Sequence, residues 1–484
     1  MTKNKEKFYL STSIAYTNSR PHVGFALELI QADVVARYNR WLGKDVWFLT
    51  GTDEHGSKIA RKAKEEGKTP QVFCDEISAK FKELKAVLDL SFDDFIRTTD
   101  QKRHWPTVQA IWKILEAKGD LEKRKYKGLY CVGCEAFVTE KDLVEGKCPL
   151  HNKEPEIVEE ENYFFRLSRY QSQLKEILEK NDIKIFPEGR KNEMLNFIKE
   201  GLEDVSCSRD SKALSWGVPV PGDESQTIYV WFEALINYLS ALGYLTADDE
   251  KFKKYWPCDV HFIGKDIARF HVLLWPAILL GLELSLPKNI FIHGFITAEG
   301  QKMSKSLGNV IDPFLLVEKY GTDPVRYFLL REISPTEDGD FSYEKFEERY
   351  NADLANGIGN LLARVVTLAS KISNFKFLIS NQFLNSNFKT ELEKTKKKYG
   401  VCLENLSFNE ALGAVWELIS FCDKYVNDNK PWENRDNSKE VVGDLLLALQ
   451  EIAELLKPFM PQTAKKILQQ IATGKSEPLF LRLN

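Results

Sequence analysis

Cysteine is scarce in this chain, with eight among 484 residues, too few for the disulfide framework on which small secreted scaffolds rely. Long apolar runs are missing too. No stretch approaches the roughly 18–20 apolar residues of a membrane helix. The charged start Met1-Thr2-Lys3-Asn4-Lys5-Glu6-Lys7 leads into a strand-like segment instead of a signal-peptide core. The expectation is a cytoplasmic protein with no membrane partner. Neither sign of charge is in excess: 67 Lys and Arg against 71 Asp and Glu leave a net charge of −4. That is unlike a small DNA-binding domain, so DNA is not expected as a partner. RNA stays open, because a large protein can confine its basic groups to one face. Two familiar phosphate motifs are also absent. Gly67-Lys68-Thr69 ends like a P-loop, but Lys62 stands where the first glycine belongs and no strand precedes it; Gly357-Ile358-Gly359 could begin a dinucleotide fingerprint, but Leu362 replaces the third glycine.

What is present has the organisation of a multidomain enzyme. The length implies about two to four domains. Residues 8–14 alternate apolar and small polar side chains, which suits a strand. After a loop over 15–22, Leu27, Ile30, Val34, Tyr38 and Trp41 form the stripe of an amphipathic helix. Val46-Trp47-Phe48-Leu49 is the continuous apolar run of a buried parallel strand, completing a strand–helix–strand unit. Two more strands, each closed by a glycine, are expected at 260–263 and 290–293, with a helix over 267–280 between them. The polar, cysteine-bearing region from about 118 to 225 reads as an insertion that splits one α/β domain. Beyond about 350 the helical stripes take over, for example Leu445, Leu449, Ile452 and Leu456, and predict a bundle. Residues 381–400 read as a mobile connection or an exposed helix end.

Two segments carry phosphate chemistry. Pro21-His22-Val23-Gly24 lies between the first strand and its helix. A helix start there offers backbone N–H groups to phosphate. Gly24 permits close approach, and His22 can donate to a phosphate oxygen. Alone, such a turn is more often an ordinary loop. Lys302-Met303-Ser304-Lys305-Ser306 follows a polar, glycine-containing loop. Its two lysines, three apart, can both reach a polyphosphate as pyrophosphate leaves; the bland alternative is a solvated basic loop. Gly264 and Asp266 stand at the end of a predicted strand, where open α/β sheets bind ligands.

Together the His22 and Lys302 segments resemble the paired signatures of class I aminoacyl-tRNA synthetases. The resemblance implies a Rossmann-type parallel sheet that activates an amino acid with ATP and Mg2+, then transfers it to the terminal ribose of tRNA. His22, Lys302 and Lys305 would be catalytic, and ATP would be held by His22, Gly24, Gly264, Asp266, Lys302 and Lys305. One departure is Phe25, where the family usually carries histidine or a polar residue; phosphate stabilisation would then rest more on the two lysines. Ser13-Ile14-Ala15-Tyr16, Gly51-Thr52-Asp53-Glu54-His55-Gly56, residues 229–235 and Ile267-Ala268-Arg269-Phe270-His271 resemble the methionyl-tRNA synthetase family in particular. By that match Asp53 pairs with the substrate ammonium. Ile14, Tyr16, Trp231, Leu235, Tyr238, Ile267 and His271 surround the thioether of L-methionine. Aromatic edges contact sulfur favourably, although Trp231 and Tyr238 without this context would read as plain core. An apolar pocket rejects a substrate one methylene shorter only about 10–200-fold. Homocysteine is therefore the troublesome competitor, which the family discards by cyclising its adenylate in the synthetic site.

The implied domain plan is 1–117 (first half of the catalytic domain), 118–228 (connective insertion with a zinc knuckle), 229–295 (second half), 296–350 (signature loop and stem-contact region) and 351–484 (α-helical anticodon-binding bundle). Cys131-Val132-Gly133-Cys134 and Cys148-Pro149-Leu150-His151 form two chelating pairs. Four such ligands suit a closed tetrahedral Zn2+ site. A redox-active thiol pair is the alternative, and the histidine in fourth place favours metal. The family carries a zinc knuckle in this insertion.

In the bundle, Asn360 and Arg364 lie one turn apart, and Trp432 follows a proline-marked turn. An aromatic ring with hydrogen-bonding neighbours is how unpaired bases are read. By the resemblance this trio contacts the CAU anticodon of tRNA(Met), initiator and elongator alike. A solvated helix face and a loop anchor are the plain alternative. With no further domain after Asn484, a monomer is expected. Three rivals remain: another class I synthetase for a large apolar amino acid, a non-catalytic RNA-binding paralogue, and a small-molecule adenylyltransferase. The last would have no use for the helical C-terminal region.

Overall fold

The computed structural model describes residues 5–133, 136–138, 140–150, 152–303, 307–372, 385–433 and 438–483. Two compact units account for the chain. The first comprises residues 1–21, 42–85 and 91–293; the second comprises 22–41, 86–90 and 294–484. The two are therefore interleaved in sequence.

The first unit is built on a seven-stranded, all-parallel sheet. Its strands are β1 (Lys7–Thr12), β2 (Ala15–Tyr16), β3 (Asp45–Asp53), β4 (Asp94–Arg97), β5 (Lys184–Phe186), β6 (Val260–Gly264) and β7 (Asn289–His293). They run in the order β2-β3-β1-β6-β7-β5, with β4 also paired to β3. Leu10 lies between Phe48 of β3 and Val260 of β6 in register. These runs are apolar because a parallel sheet is covered on both faces. Gly51 is required where β3 meets β4, since a Cβ there would fall 2.1 Å from the Ile96 carbonyl oxygen.

The region between β4 and β6 holds a long antiparallel ladder, Leu121–Cys131 against Glu156–Phe165. Basic and acidic residues face each other across it, Lys125 opposite Glu161 and Lys127 opposite Glu159, as cross-strand pairing favours. The segment expected to be one helix over 267–280 is more irregular. A short 3-10 turn (Lys265–Ile267) leads into a π-helical turn (Phe270–Leu274), and an α-helix follows over Trp275–Gly281. Pro276 at the start of that helix lacks an N–H, which favours the break in regular i→i−4 bonding.

The second unit is mostly helical. Helix α1 (Val23–Trp41) begins it, and α2 (Pro313–Tyr320) and α3 (Thr322–Arg331) lie between the second and third strands of a small three-stranded sheet built from Ile296–Ala298, Gln301–Lys302 and Gly339–Phe341. The stripe expected on α1 is realised only in part. Leu27, Ile30 and Val34 are buried, but so are Glu28, Gln31 and Asp33, while Trp41 is 45% exposed. The buried polar face is paired: Asp33 accepts from Arg326 at 2.7 Å and from Arg37 at 2.7 Å. Arg326 is fully buried and also donates to the carbonyls of Leu88, Pro458 and Phe459 at 2.7–3.0 Å. At the start of α2, Asp312 accepts the Phe314 N–H at 2.7 Å with Pro313 beside it, the ordinary grammar of a helix start.

The C-terminal part is a bundle of α4 (Asn360–Ser370), α5 (Ser386–Glu404), α6 (Phe408–Asn429), α7 (Ser438–Leu456) and α8 (Pro461–Thr473). Most of 381–400 belongs to it rather than to a connection. Within α5, Phe388, Leu392, Thr395 and Tyr399 are buried, and the lysines that suggested a loop occupy the outer face of an ordinary core helix. Among the described residues no helix is long and apolar enough to cross a membrane.

Candidate functional site

In the first unit Ile14, Trp231, Leu235, Tyr238, Ile267 and His271 gather at one core. Asp53 closes β3 and is 5% exposed. Its carbonyl accepts the Thr17 N–H at 3.0 Å, and it pairs in register with Tyr16 on β2. Trp231 and Leu235 lie on the short helix Val230–Leu235. Trp231 stacks on Phe270 with ring centroids 4.1 Å apart and planes 5° from parallel. Leu235 and Tyr238 are buried, and Ile14, Ile267 and Phe270 pack against the same cluster. Tyr16 sits apart from it, packed against Ile59, Ala63, Phe73 and Cys74.

The polar groups of this core have fixed roles. His271 Nδ1 faces the Ile267 carbonyl at 3.1 Å, so it carries the hydrogen and donates. Burial holds the His271 pKa down at about 4, against a smaller upward pull from that carbonyl. The ring is therefore neutral at physiological pH and its Nε2 accepts the Tyr238 O–H at 2.8 Å. His261 behaves in the same way. Burial lowers its pKa well below the usual value. An indole N–H can only donate, so Nε2 accepts from Trp275 at 3.3 Å while Nδ1 donates to Ser11 at 2.7 Å. Tyr238 lies over His261 with centroids 4.3 Å apart. The result is an aromatic wall whose two imidazoles are uncharged.

Sequence reasoning did not assign Phe270, His261, Trp275 or Ser11 a part in this wall. Ser11 and His261 are register partners on β1 and β6, a pairing that appears only once the strand order is known. Trp275 follows His271 by four residues, but the π-helical turn shifts the faces that a regular helix would align. Arg209 was also missed. It lines a cleft of about 300 Å³ with Gly56, Ser57, Arg61, Tyr130 and Tyr229, and its guanidinium holds Glu160 at 2.8 and 3.0 Å. Gly264 closes β6 and is buried, with Asp266 exposed two residues on. A Cβ at Gly264 would stand 2.8 Å from the Asp266 carboxylate.

In the second unit the two signature segments meet. A Cβ on Gly24 would lie 2.9 Å from the His22 ring and 4.0 Å from the Met303 methyl, so only glycine lets the imidazole fold back here. The Val23 N–H donates to the Ile311 carbonyl at 3.0 Å. Gly24 N–H donates to His22 Nδ1 at 3.1 Å and Phe25 N–H to the His22 carbonyl at 3.1 Å. The helix start therefore does not offer the open N–H groups expected from its sequence, because its first three are engaged. The bond from Gly24 instead makes Nδ1 an acceptor, leaving the hydrogen of the neutral ring on Nε2. Lys302 is exposed on a two-residue strand paired with Ile296–Ala298. Lys305 lies outside the described residues, with Ser304 and Ser306.

Two of the four metal-ligand candidates, Cys134 and His151, also lie outside the described residues. Cys131 ends the long ladder strand, and both Cys131 and Cys148 are buried at 2% exposure. A tight turn brings Asn152 N–H to the Cys148 carbonyl at 2.7 Å, and Val144 bridges Lys147. Among the described residues no group of three candidate ligands converges.

In the bundle, Asn360 is exposed at the start of α4 and Arg364 follows one turn later. Arg364 donates to Asn427 at 2.9 Å and lies over the ring of Trp432, 5.5 Å from its centroid. Trp432 is 48% exposed. A shallow cleft of about 490 Å³ is lined by Ala363, Arg364, Thr367, Leu368 and Trp432.

Comparison with known proteins agrees with this geometry. The family described as tRNA synthetases class I (M) matches residues 8–155 and 142–366, and the anticodon-binding domain of tRNA ligase matches 385–482. The chain is 46% identical to the methionine–tRNA ligase of Caldanaerobacter subterraneus, over 96% of this chain and 74% of that one. It is 42% identical to that of Brucella suis, over 99% and 94%. A solved structure of Mycobacterium tuberculosis methionyl-tRNA synthetase in complex with methionyl-adenylate superposes with a TM-score of 0.89 at 38% identity, covering 96% of this chain and 93% of the other. On sequence, fold and pocket together, the chain belongs to the methionine–tRNA ligase family of class I aminoacyl-tRNA synthetases.

Proposed function

We propose that the chain is a methionine–tRNA ligase whose two steps fall to the groups described above. In the first step a carboxylate oxygen of L-methionine attacks the α-phosphorus of ATP, and the bond to pyrophosphate breaks to leave methionyl-adenylate. In the second step the 3'-terminal ribose hydroxyl of tRNA(Met) attacks the activated carbonyl, giving the ester and AMP. The observation that carries the substrate choice is the neutral wall of Trp231, Phe270, Tyr238 and His271, in the same unit as the buried carboxylate of Asp53. The wall is apolar and aromatic enough for a thioether, and Asp53 supplies a buried carboxylate suited to an ammonium.

Asp53 binds the amino group; Ile14, Tyr16, Trp231, Leu235, Tyr238, Ile267 and His271 form the side-chain pocket. Gly264 and Asp266 are the nucleoside contacts. Lys302 and Lys305 neutralise the phosphates as charge develops, and His22 donates its Nε2 hydrogen to a phosphate oxygen, with Gly24 giving the ring its room. Mg2+ enters as the counter-ion of ATP. Asn360, Arg364 and Trp432 read the anticodon of initiator and elongator tRNA. The exposed indole, held by a guanidinium, is a platform on which a base can stack.

Cys131, Cys134, Cys148 and His151 hold a Zn2+ ion. Three thiolates and an imidazole suit a closed structural site, and the burial of Cys131 and Cys148 fits that donor set. The metal stabilises the insertion and takes no part in either step. Stoichiometric zinc in the purified protein, lost on Cys131→Ser, is the expected result.

ATP–pyrophosphate exchange with each amino acid in turn tests the main reading. Methionine should stimulate exchange, and the protein should then charge tRNA(Met). Exchange with another amino acid alone would refute the specificity, and no exchange with any would refute the activity.

A further inference from the structure

Behind the pocket of the first unit, Glu233 is fully buried between two histidines. One carboxylate oxygen lies 2.7 Å from His55 Nδ1 and the other 2.7 Å from His104 Nε2. All three side chains are at most 1% exposed. Burial opposes the charge on Glu233, but the two facing imidazoles outweigh it and hold the carboxyl below its usual range. An ionised carboxylate only accepts hydrogen bonds, so both facing nitrogens carry hydrogen. The outer nitrogens differ. His104 Nδ1 has Ser240 Oγ at 2.8 Å. His55 Nε2 is buried with no hydrogen-bond partner among the described residues, its ring held between Trp105 and Trp216 at 6.0 and 5.5 Å.

The three residues come from three places that matter to recognition. His55 is two residues after Asp53, on the loop that ends β3. Glu233 lies on the helix Val230–Leu235, between Trp231 and Leu235. His104 begins the helix Trp105–Ala117. The loop is tied from its outer side as well: Trp216 donates to the Glu54 carbonyl at 2.6 Å, and the Gly56 N–H donates to the Trp216 carbonyl at 3.3 Å.

We infer that His55, Glu233 and His104 are positioning residues that set the distance between the ammonium-binding carboxylate of Asp53 and the thioether-binding wall on Trp231 and Leu235. None of the three needs to touch the substrate. Their work is to lock a loop and a helix at a fixed spacing, because a displacement of about 1 Å in such a frame can cost 10²-fold in a productive complex.

The inference rests on the methionine reading, and the experiment separates the two. Direct methionine binding and the KM for methionine in ATP–pyrophosphate exchange are measured for the wild type and for Glu233→Ala, Glu233→Gln and Glu233→Gln/Ser240→Ala. Wild-type exchange that ignores methionine would sink the parent reading. Given methionine-dependent exchange, E233A should raise the KM and Kd for methionine by about tenfold or more, with the KM for ATP held within about threefold. The glutamine variant should recover most of that loss. Its amide can accept from His55 and donate to His104, provided that His104 moves its hydrogen to Nδ1 and donates it to Ser240. Removing Ser240 closes that route, so the double variant should return to the E233A value. Unchanged methionine affinity in E233A, or an E233Q that binds as well without Ser240 as with it, would overturn the inference. If E233A does not fold, the comparison of the two glutamine variants decides alone.

Discussion

The proposed methionine pocket and the signature loop would meet the same requirement, holding a reactive group in place, by opposite means. In the pocket a chain of hydrogen bonds has fixed directions: Tyr238 donates to His271, His271 to a carbonyl, Trp275 to His261, His261 to Ser11. Lys302 instead stands exposed on a two-residue strand, anchored by backbone contacts and by the packing of Met303 near Gly24. Selecting a side chain needs a surface that does not yield. Neutralising a phosphate that is changing its bonds needs charge that can follow it.

That contrast predicts which kinetic constant each change moves. The largest effect should come from the loop: Lys302→Ala or Lys305→Ala should slow adenylate formation by about 10²–10³-fold with methionine affinity unchanged, as read in single-turnover exchange and in binding. A large loss of methionine affinity in either variant would erase the distinction.

Stability separates from both. Arg326→Met should cost about 3–5 kcal/mol in urea unfolding, because it removes the buried partner of Asp33, leaving only Arg37, and strips the donor from the carbonyls of Leu88, Pro458 and Phe459, while KM values of the folded fraction stay close to wild type.

His271 ties the pocket to pH. Its folded pKa of about 4 lies below the unfolded value of 6.5, so the unfolded chain binds more protons between those values. The contribution of the neutral ring is complete above about pH 6.5 and is lost as pH falls toward 4, by about 3 kcal/mol in all. His271→Gln should flatten that part of the stability–pH curve; an equally steep curve in the variant would assign the slope to other groups. The smallest change is expected from Trp432→Ala, which should raise the KM for tRNA by about tenfold, near the value of one lost base stack.

How much of this was legible in the sequence depends on how local the cause is. The strands 7–12 and 45–53 follow from their own residues, and so does the start of α2 at Asp312-Pro313. The short motifs led to Asp53, Trp231, Tyr238 and His271, and the fold gathers the last three around one core. Long-range satisfaction was not legible. Nothing near Asp33 or Gln31 says that they are buried, since the partner of Asp33 is Arg326 and that of Gln31 is the Pro335 carbonyl. The engaged N–H groups of residues 23–25 belong to the same class, because one of their acceptors is at Ile311. Residues 381–400 misled for a different reason. A lysine run looks like loop when its helix buries only one narrow face, here Phe388, Leu392, Thr395 and Tyr399. Interleaving is a third kind of hidden information, because segments 22–41 and 86–90 group with 294–484 and a linear list of boundaries cannot express it.

The buried pair of Asp33 and Arg326 also sets a timetable for synthesis. At about 5–20 residues per second, the ribosome releases α1 roughly 15–60 seconds before Arg326 exists. During that interval Asp33 has only Arg37, one turn along its own helix, as a counter-charge. The helix must wait, solvated or sheltered, for a partner encoded 293 codons after Asp33.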